Sequence, residues 1–150
     1  MRTFSKTVKL SIVAATIAGA TLVTGCSMMG MKDGGMMSHV ALTGAQEVPP
    51  VSTAASGKSM IKVAADKSVS GMIMVSGVAA TAAHIHEAGM GANGPVILPL
   101  TKTSDTMFTV PADAKLTDAQ YASYLAGRLY VNVHSAAYAG GEIRAQLSAR

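Results

Sequence analysis

Period-two alternation, cut short every few residues by a turn, is the feature that most restricts how this chain can fold. Over residues 58–64, Lys58 and Lys62 fall on one face and Ile61 and Val63 on the other. Successive side chains of a strand point to opposite faces, so such a segment is half-buried strand. The alternation returns over 69–75 and stops at Gly77, with Asp66-Lys67 as the hairpin tip between the two runs. Further short runs lie at 39–43, ending at Gly44, at 96–100, at 106–110, closed by Pro111, and at 129–134 and 142–147. With the segment around His84 and His86 the spacing predicts seven or eight short strands. Turn signals every 8–12 residues or so mark an antiparallel sandwich or barrel. Pro49-Pro50 demands an extended edge or a turn. One helix is expected over 117–126: Thr117 can cap it, Tyr121, Tyr124 and Leu125 recur at helical spacing, and Gly127 stops it. The expected class is all-β with one short helix. No alternation of strands with long helices points to a parallel sheet.

The first 25 residues read as a leader, not as part of that fold. Arg2, Lys6 and Lys9 precede an apolar run over 10–22, followed by Val23-Thr24-Gly25-Cys26. A positive start, a short apolar core and a small-residue cleavage site make a secretory signal peptide. The apolar run, about 13 residues, is short of the roughly 20 needed to span a bilayer. Leu22-Val23-Thr24-Gly25-Cys26 resembles a bacterial lipobox, which implies cleavage before Cys26 and lipidation of its thiol. Cys26 is the one cysteine. Disulfides within the chain are therefore excluded, and acylation accounts for an odd cysteine in an exported protein. Residues 26–38 then form a lipidated tether rich in Met and Gly. It is either a plain flexible linker or, with His39, a soft arm for Cu(I). Residues 39–150 remain for one β domain. The chain carries 12 Lys and Arg against 8 Asp and Glu. Three of the basic residues sit in the leader, so the rest is near neutral and has no basic run. Nucleic acid is therefore not an expected partner. The expected location is the cell envelope, with the lipid anchor in a membrane.

Three of the four histidines fall in two segments, His84-Ile85-His86-Glu87 and Tyr130-Val131-Asn132-Val133-His134. On a strand His84 and His86 share a face, and Tyr130, Asn132 and His134 share the face opposite Leu129, Val131 and Val133. Two histidines two apart and a third from a neighbouring strand can present three nitrogens to one ion, leaving a position open. Imidazoles suit copper or zinc. Met90, in the Gly-rich loop after His86, and His39 are candidate auxiliary ligands. Glu87, Asn132, Glu142 and Arg144 are candidates for orienting the rings. The bland alternative is that each histidine bonds a cross-strand carbonyl or carboxylate. Glu142 and Arg144 share a strand face, either bracing the site or forming a surface ion pair. Glu47-Val48-Pro49-Pro50 reads as a conformational lock. Met72 and Met74 share a face with Ser70. Nothing resembles a nucleophile elbow, a phosphate-cradling loop or a close pair of carboxylates, so the chain leans away from enzymes.

Three ordered pieces resemble the CHRD domain, the module named after chordin. They are Leu42-Thr43-Gly44-Ala45-Gln46-Glu47-Val48-Pro49-Pro50-Val51, then His84-Ile85-His86 through Asn93-Gly94-Pro95-Val96, and Tyr130-Val131-Asn132-Val133-His134 through Gly141-Glu142-Ile143-Arg144-Ala145-Gln146-Leu147. Ala145 stands where the family often has glycine. The resemblance spans about residues 39–148 and implies an antiparallel Greek-key sandwich or barrel, immunoglobulin-like or superoxide-dismutase-like. His84-Ile85-His86-Glu87 and the later Val133-His134, Gly140-Gly141 and Arg144 are also similar to the copper-ligand segments of copper/zinc superoxide dismutases. That likeness implies His84, His86 and His134 as copper ligands with Arg144 flanking them. No histidine lies between His86 and His134, so the second metal's ligands are missing. The expected function is metal binding, copper foremost, for buffering or tolerance. A structural or adhesive envelope module and a degenerate dismutase-like redox enzyme are the competing expectations.

Overall fold

The structure, a computed structural model, describes residues 36–149. The leader, Cys26 and the tether as far as residue 35 lie outside the described residues. Among the described residues there are nine strands: β1 Met36–Thr43, β2 Ser56–Val63, β3 Val69–Ser76, β4 Ala80–Glu87, β5 Val96–Pro99, β6 Thr101–Ser104, β7 Met107–Thr109, β8 Leu129–Ser135 and β9 Ile143–Leu147. One helix, α1, covers Asp118–Leu125, and a 3-10 turn at Gly44–Gln46 follows β1. β1 starts three residues ahead of the His39 start read from the sequence.

The strands form one antiparallel sheet in the order β5-β4-β8-β9-β1-β2-β3-β7-β6. Its two outermost strands, β5 and β6, are joined by Leu100 alone. The sheet must therefore curl until its edges meet, and the result is a nearly closed barrel. Leu100 N–H donates to the Ala83 carbonyl on β4 at 2.9 Å, and Lys102 Nζ donates to the Ala80 carbonyl at 2.9 Å. Closure of this kind removes the free edges along which sheets aggregate. β6 is the strand the sequence did not announce. All four of its residues, Thr-Lys-Thr-Ser, are exposed, so it carries no apolar alternation. Only its place between Leu100 and the β7 pairing makes it a strand.

Leu42, Ile61, Ile73, Ile85, Phe108, Val131, Val133 and Ile143 fill the barrel interior. The alternating residues Ile61 and Val63 point inward, as do Leu129, Val131 and Val133. The helix has the expected cap. Thr117 Oγ1 accepts from Gln120 N–H at 3.2 Å, and Gln120 Oε1 accepts from Thr117 N–H at 2.9 Å, a reciprocal capping box.

β8 and β9 are buried on both faces. Their outward residues Tyr130, Asn132 and Arg144 are covered by two loops, 44–50 and 88–95. Arg144 reaches the Gly89 carbonyl, Gln146 reaches the Ala88 carbonyl, and Asn93 Nδ2 donates to the Val48 carbonyl at 2.6 Å. A second, polar core thus sits outside the apolar one.

Candidate metal centre

The register of β4 against β8 builds the site. Ala82 pairs with His134, His84 with Asn132 and His86 with Tyr130. All six point away from the barrel interior, and the three histidines lie on successive rows. One ring nitrogen from each of His84, His86 and His134 lies within 4.8 Å of the other two. His84 Nδ1 and His134 Nε2 are 3.0 Å apart. Two nitrogens each bound at about 2.0 Å to one tetrahedral ion are about 3.3 Å apart. The pair is therefore close to the spacing that a shared ion requires.

The other ring nitrogens fix the tautomers. His86 Nδ1 lies 2.9 Å from the Gly94 carbonyl, and His134 Nδ1 lies 2.9 Å from the Ala139 carbonyl. A carbonyl only accepts, so both neutral rings carry their proton on Nδ1 and keep a lone pair on Nε2. A backbone carbonyl holding the far N–H is how metal-binding imidazoles are commonly oriented. His134 Nε2 then accepts from His84 Nδ1–H. His86 Nε2 is buried beside the Asn132 side chain and makes no hydrogen bond of good geometry. A buried unsatisfied acceptor costs about 1–3 kcal/mol, and a cation among the three nitrogens would satisfy it. Burial first, then the neighbouring His134 and His86, holds His84 below the usual histidine range. Burial likewise lowers His86, against the pull of the Gly94 carbonyl. Both shifts favour the neutral ring, the form that ligates metal.

Behind His86 the support is aromatic and cationic. The Tyr130 ring stacks on His86, centroids 4.8 Å apart and planes 8° from parallel. The Arg144 guanidinium carbon lies 3.4 Å from the Tyr130 ring centroid. Tyr130 Oη accepts from Gly94 N–H at 3.2 Å, so the Gly94 residue is held at its N–H by Tyr130 and at its carbonyl by His86. Arg144 is only 1% exposed. It donates to Asn93 Oδ1, the Gly89 carbonyl and Gln146 Oε1 at 3.2–3.3 Å. Burial lowers the Arg144 pKa, with Tyr130 and Glu47 opposing.

The other expected residues scatter. Asn132 is buried beside the site and shares the His84 row. Its Nδ2 donates to the Gly140 carbonyl at 3.5 Å, while its side chain lies against His86 and raises that ring's pKa without an Oδ1 bond of good geometry. Glu87 does not turn to the histidines: its Oε1 accepts from Ser123 Oγ at 2.6 Å and ties α1 to the end of β4. Glu142 accepts from Thr53 Oγ1 at 2.7 Å. With Arg144 buried and turned to Asn93, Gly89 and Gln146, the two do not make a surface ion pair. Met90 is 84% exposed and lines a cleft of about 420 Å³ with Glu47, Val48, Pro50, Arg144 and Gln146, none of them the three histidines. His39 is on β1, opposite Met60 of β2, also away from the trio.

Glu47 is the residue that sequence reasoning passed over. It is 5% exposed, and its Oε1 has no hydrogen-bond partner. Burial pushes its pKa up from 4.5 to about 7, with the Arg144 charge and the Val48 backbone pulling the other way. Gly141 lies against it: a Cβ there would sit 2.6 Å from Asn132 Nδ2 and 2.7 Å from Glu47 Oε1. The only signal available was its place ahead of Val48-Pro49-Pro50, which read as a conformational lock.

The family model described as the CHRD domain matches residues 39–147. No curated protein and no solved structure matches the chain.

Proposed function

This chain belongs to the CHRD domain family, and from that premise we propose that it is an exported, lipid-anchored metal-binding protein. His84, His86 and His134 hold the ion, and copper is the metal. The observation that carries this reading is the nitrogen arrangement. Two rings are locked by backbone carbonyls with Nε2 turned to the site; His134 Nε2 meets His84 Nδ1 at 3.0 Å, and His86 Nε2 is buried with no hydrogen bond of good geometry. Three imidazoles with no carboxylate among them suit copper and zinc. At a site with no strong geometric filter, Cu(II) binds more tightly than the other divalent first-row ions. The envelope location rests on the signal-like leader and the lipobox-like segment ending at Cys26. The role in this reading is buffering or tolerance.

The test is thermal unfolding of the full chain carrying Cys26→Ser, in detergent, with and without Cu(II) and Zn(II). A ligand bound by the native state alone adds about 2.7 kcal/mol at a hundredfold excess over Kd. The expected result is a rise in Tm that disappears in His86→Ala and in His134→Ala. Equal Tm with and without either metal refutes the reading. It would favour the structural module, in which the His84–His134 bond and the two carbonyl bonds only pin loops.

A further inference from the structure

A second group of soft donors lies on the barrel's outer face, on strands that do not carry the histidine trio. The β1–β2 register sets His39 opposite Met60, and the β2–β3 register sets Met60 opposite Met72. One row therefore reads His39, Met60, Met72 across three adjacent strands. The next row reads Ala41, Lys58, Met74 and, through the β3–β7 register, Met107. Directly paired residues share a face, with Cβ atoms about 4.5–5.5 Å apart. The inward neighbours Ile61, Ile73 and Val75 are buried, so the two rows face outward. His39 is exposed, Met60, Met72 and Met107 are half-buried, and Met74 is 47% exposed. Four thioethers and an imidazole thus stand on four contiguous strands. β9 separates β1 from the β8 and β4 strands of the trio.

We propose that this face is a Cu(I) site, with His39, Met60 and Met72 as ligands and Met74 as a fourth donor within reach. A methionine has three rotatable bonds and a polarisable sulfur, so thioethers one strand apart can turn toward a common ion without moving the backbone. Thioether sulfur is a soft, neutral donor. It selects Cu(I) and offers little to Zn(II) or to hard cations. The trio, all nitrogen, favours the harder Cu(II). One small barrel therefore carries two sites suited to the two oxidation states of one metal. Lys58, in the Met74 row, is exposed; about 7 Å from Met60 along the strand, its charge lies inside the screening length of about 10 Å and opposes a cation most in its own row, which leaves the His39–Met60–Met72 row as the better seat. The inference stands independently of the reading of the trio.

The test uses the full chain with Cys26→Ser, which removes a competing thiol, and with His84→Ala and His134→Ala, which remove the first site. Cu(I) is titrated anaerobically against a chromogenic chelator, and methionine methyl groups labelled with ¹³C are followed by NMR as Ag(I), a redox-inert stand-in, is added. Expected are one bound Cu(I), methyl shifts at Met60 and Met72, and at least a tenfold loss of affinity in Met60→Leu/Met72→Leu. His39→Ala should weaken binding similarly, and Zn(II) should not compete. Met→Leu keeps volume and polarity close to the original, so unchanged Tm in the variant excludes misfolding as the cause. Cu(I) affinity that survives Met60→Leu/Met72→Leu but falls when Met28, Met29 and Met31 become Leu overturns the proposal and assigns the capture to the tether. Absence of any Cu(I) binding overturns it as well. Both failures leave the trio's response to Cu(II) untouched, so the two readings fail separately.

Discussion

Replacing Arg144 with methionine tests the polar core most directly, because that guanidinium joins the loops to the metal-site ring stack. Arg144 makes three hydrogen bonds, to Asn93, Gly89 and Gln146, and lies over Tyr130. A hydrogen bond from a charged donor contributes about 1.5–3 kcal/mol. At the low end the three supply about 4–5 kcal/mol, and a desolvated cation–π contact adds about 2. Against this stands the cost of holding the charge out of water, several kcal/mol, which the methionine does not incur. The net expectation for Arg144→Met is a loss of about 2–4 kcal/mol, with little cavity contribution because the volume is largely kept. For a domain of this size that is a fall in Tm of very roughly 10 °C or more. Arg144→Lys should lose almost as much: an ammonium lacks the planar fork that serves three acceptors while lying flat on a ring. Urea unfolding at pH 7 gives the free energies. Hydrogen exchange at Gly94, whose N–H is held by Tyr130, reads the same event locally, and protection there should drop. If Arg144→Met falls within 1 kcal/mol of the parent, or Arg144→Lys is indistinguishable from it, the guanidinium is not what holds this layer and the reasoning is wrong.

Two further outcomes follow from the same layer. Gly141 has φ 131°, and a Cβ there meets Asn132 and Glu47; Gly141→Ala should cost about 1–3 kcal/mol. Gly140→Ala, where a Cβ meets nothing within 4 Å, should cost less than about 0.5, and urea midpoints that do not separate the pair would refute the claimed crowding. The pH profile of the apoprotein's stability should carry two opposed contributions. Glu47 is raised to about 7 in the fold, so the native state binds its proton more tightly. Its contribution is full below pH 4.5 or so and is lost as pH rises through 7. His84 and His86 are lowered, so theirs is present above about pH 6.5, the ordinary histidine value, and is lost on acidification. Glu47→Gln should therefore remove a decline in stability between about pH 5 and 8, and a profile unchanged by that substitution contradicts the assigned burial.

The outline of the barrel was legible because period-two alternation acts locally. Ile61 and Val63, or Val131 and Val133, need only their own strand to show which way they face. The pairing of His84 with His86 on one face was legible for the same reason. What joins His134 to them is the β4–β8 register, a long-range choice that no local pattern states. β6 escaped because an edge strand of exposed polar residues looks like a loop until its neighbours are known. The burial of Glu47 escaped for a related reason, as did that of Arg144, although the sequence itself offers Arg144 as a candidate for bracing the site. Charged residues at the surface of a sheet read as solvated unless one knows that loops 44–50 and 88–95 fold over them. The Asn93–Val48 bond between those loops joins residues 45 apart in sequence, which no local pattern can state.

That covering layer explains why the candidate metal centre sits where it does. β8 gives its inward face to the apolar core and its outward face to Tyr130, Asn132 and His134, so it has no solvent-facing side to relax into. His86 is pressed between this strand and the Gly94 carbonyl, and His134 is tied to the Ala139 carbonyl of the turn that follows β8. Ligands borne on strands and fixed by backbone acceptors lose little freedom on binding an ion, so the ordering cost is met during folding and not at capture. His84 is the exception, bonded to another ligand and not to a carbonyl. Its ring must give up the proton it shares with His134 before both nitrogens can face a cation. From a neutral pair, binding should therefore shift that proton to the far nitrogen of His84; net release follows only from a pair that starts with one ring cationic. Calorimetric titration with Cu(II) in buffers of different ionisation enthalpy separates these outcomes. A heat that tracks the buffer in the parent but not in His84→Ala identifies release. A heat independent of buffer in both identifies transfer within the ring. A dependence that persists unchanged in His84→Ala would place the proton elsewhere and refute the shared-proton account.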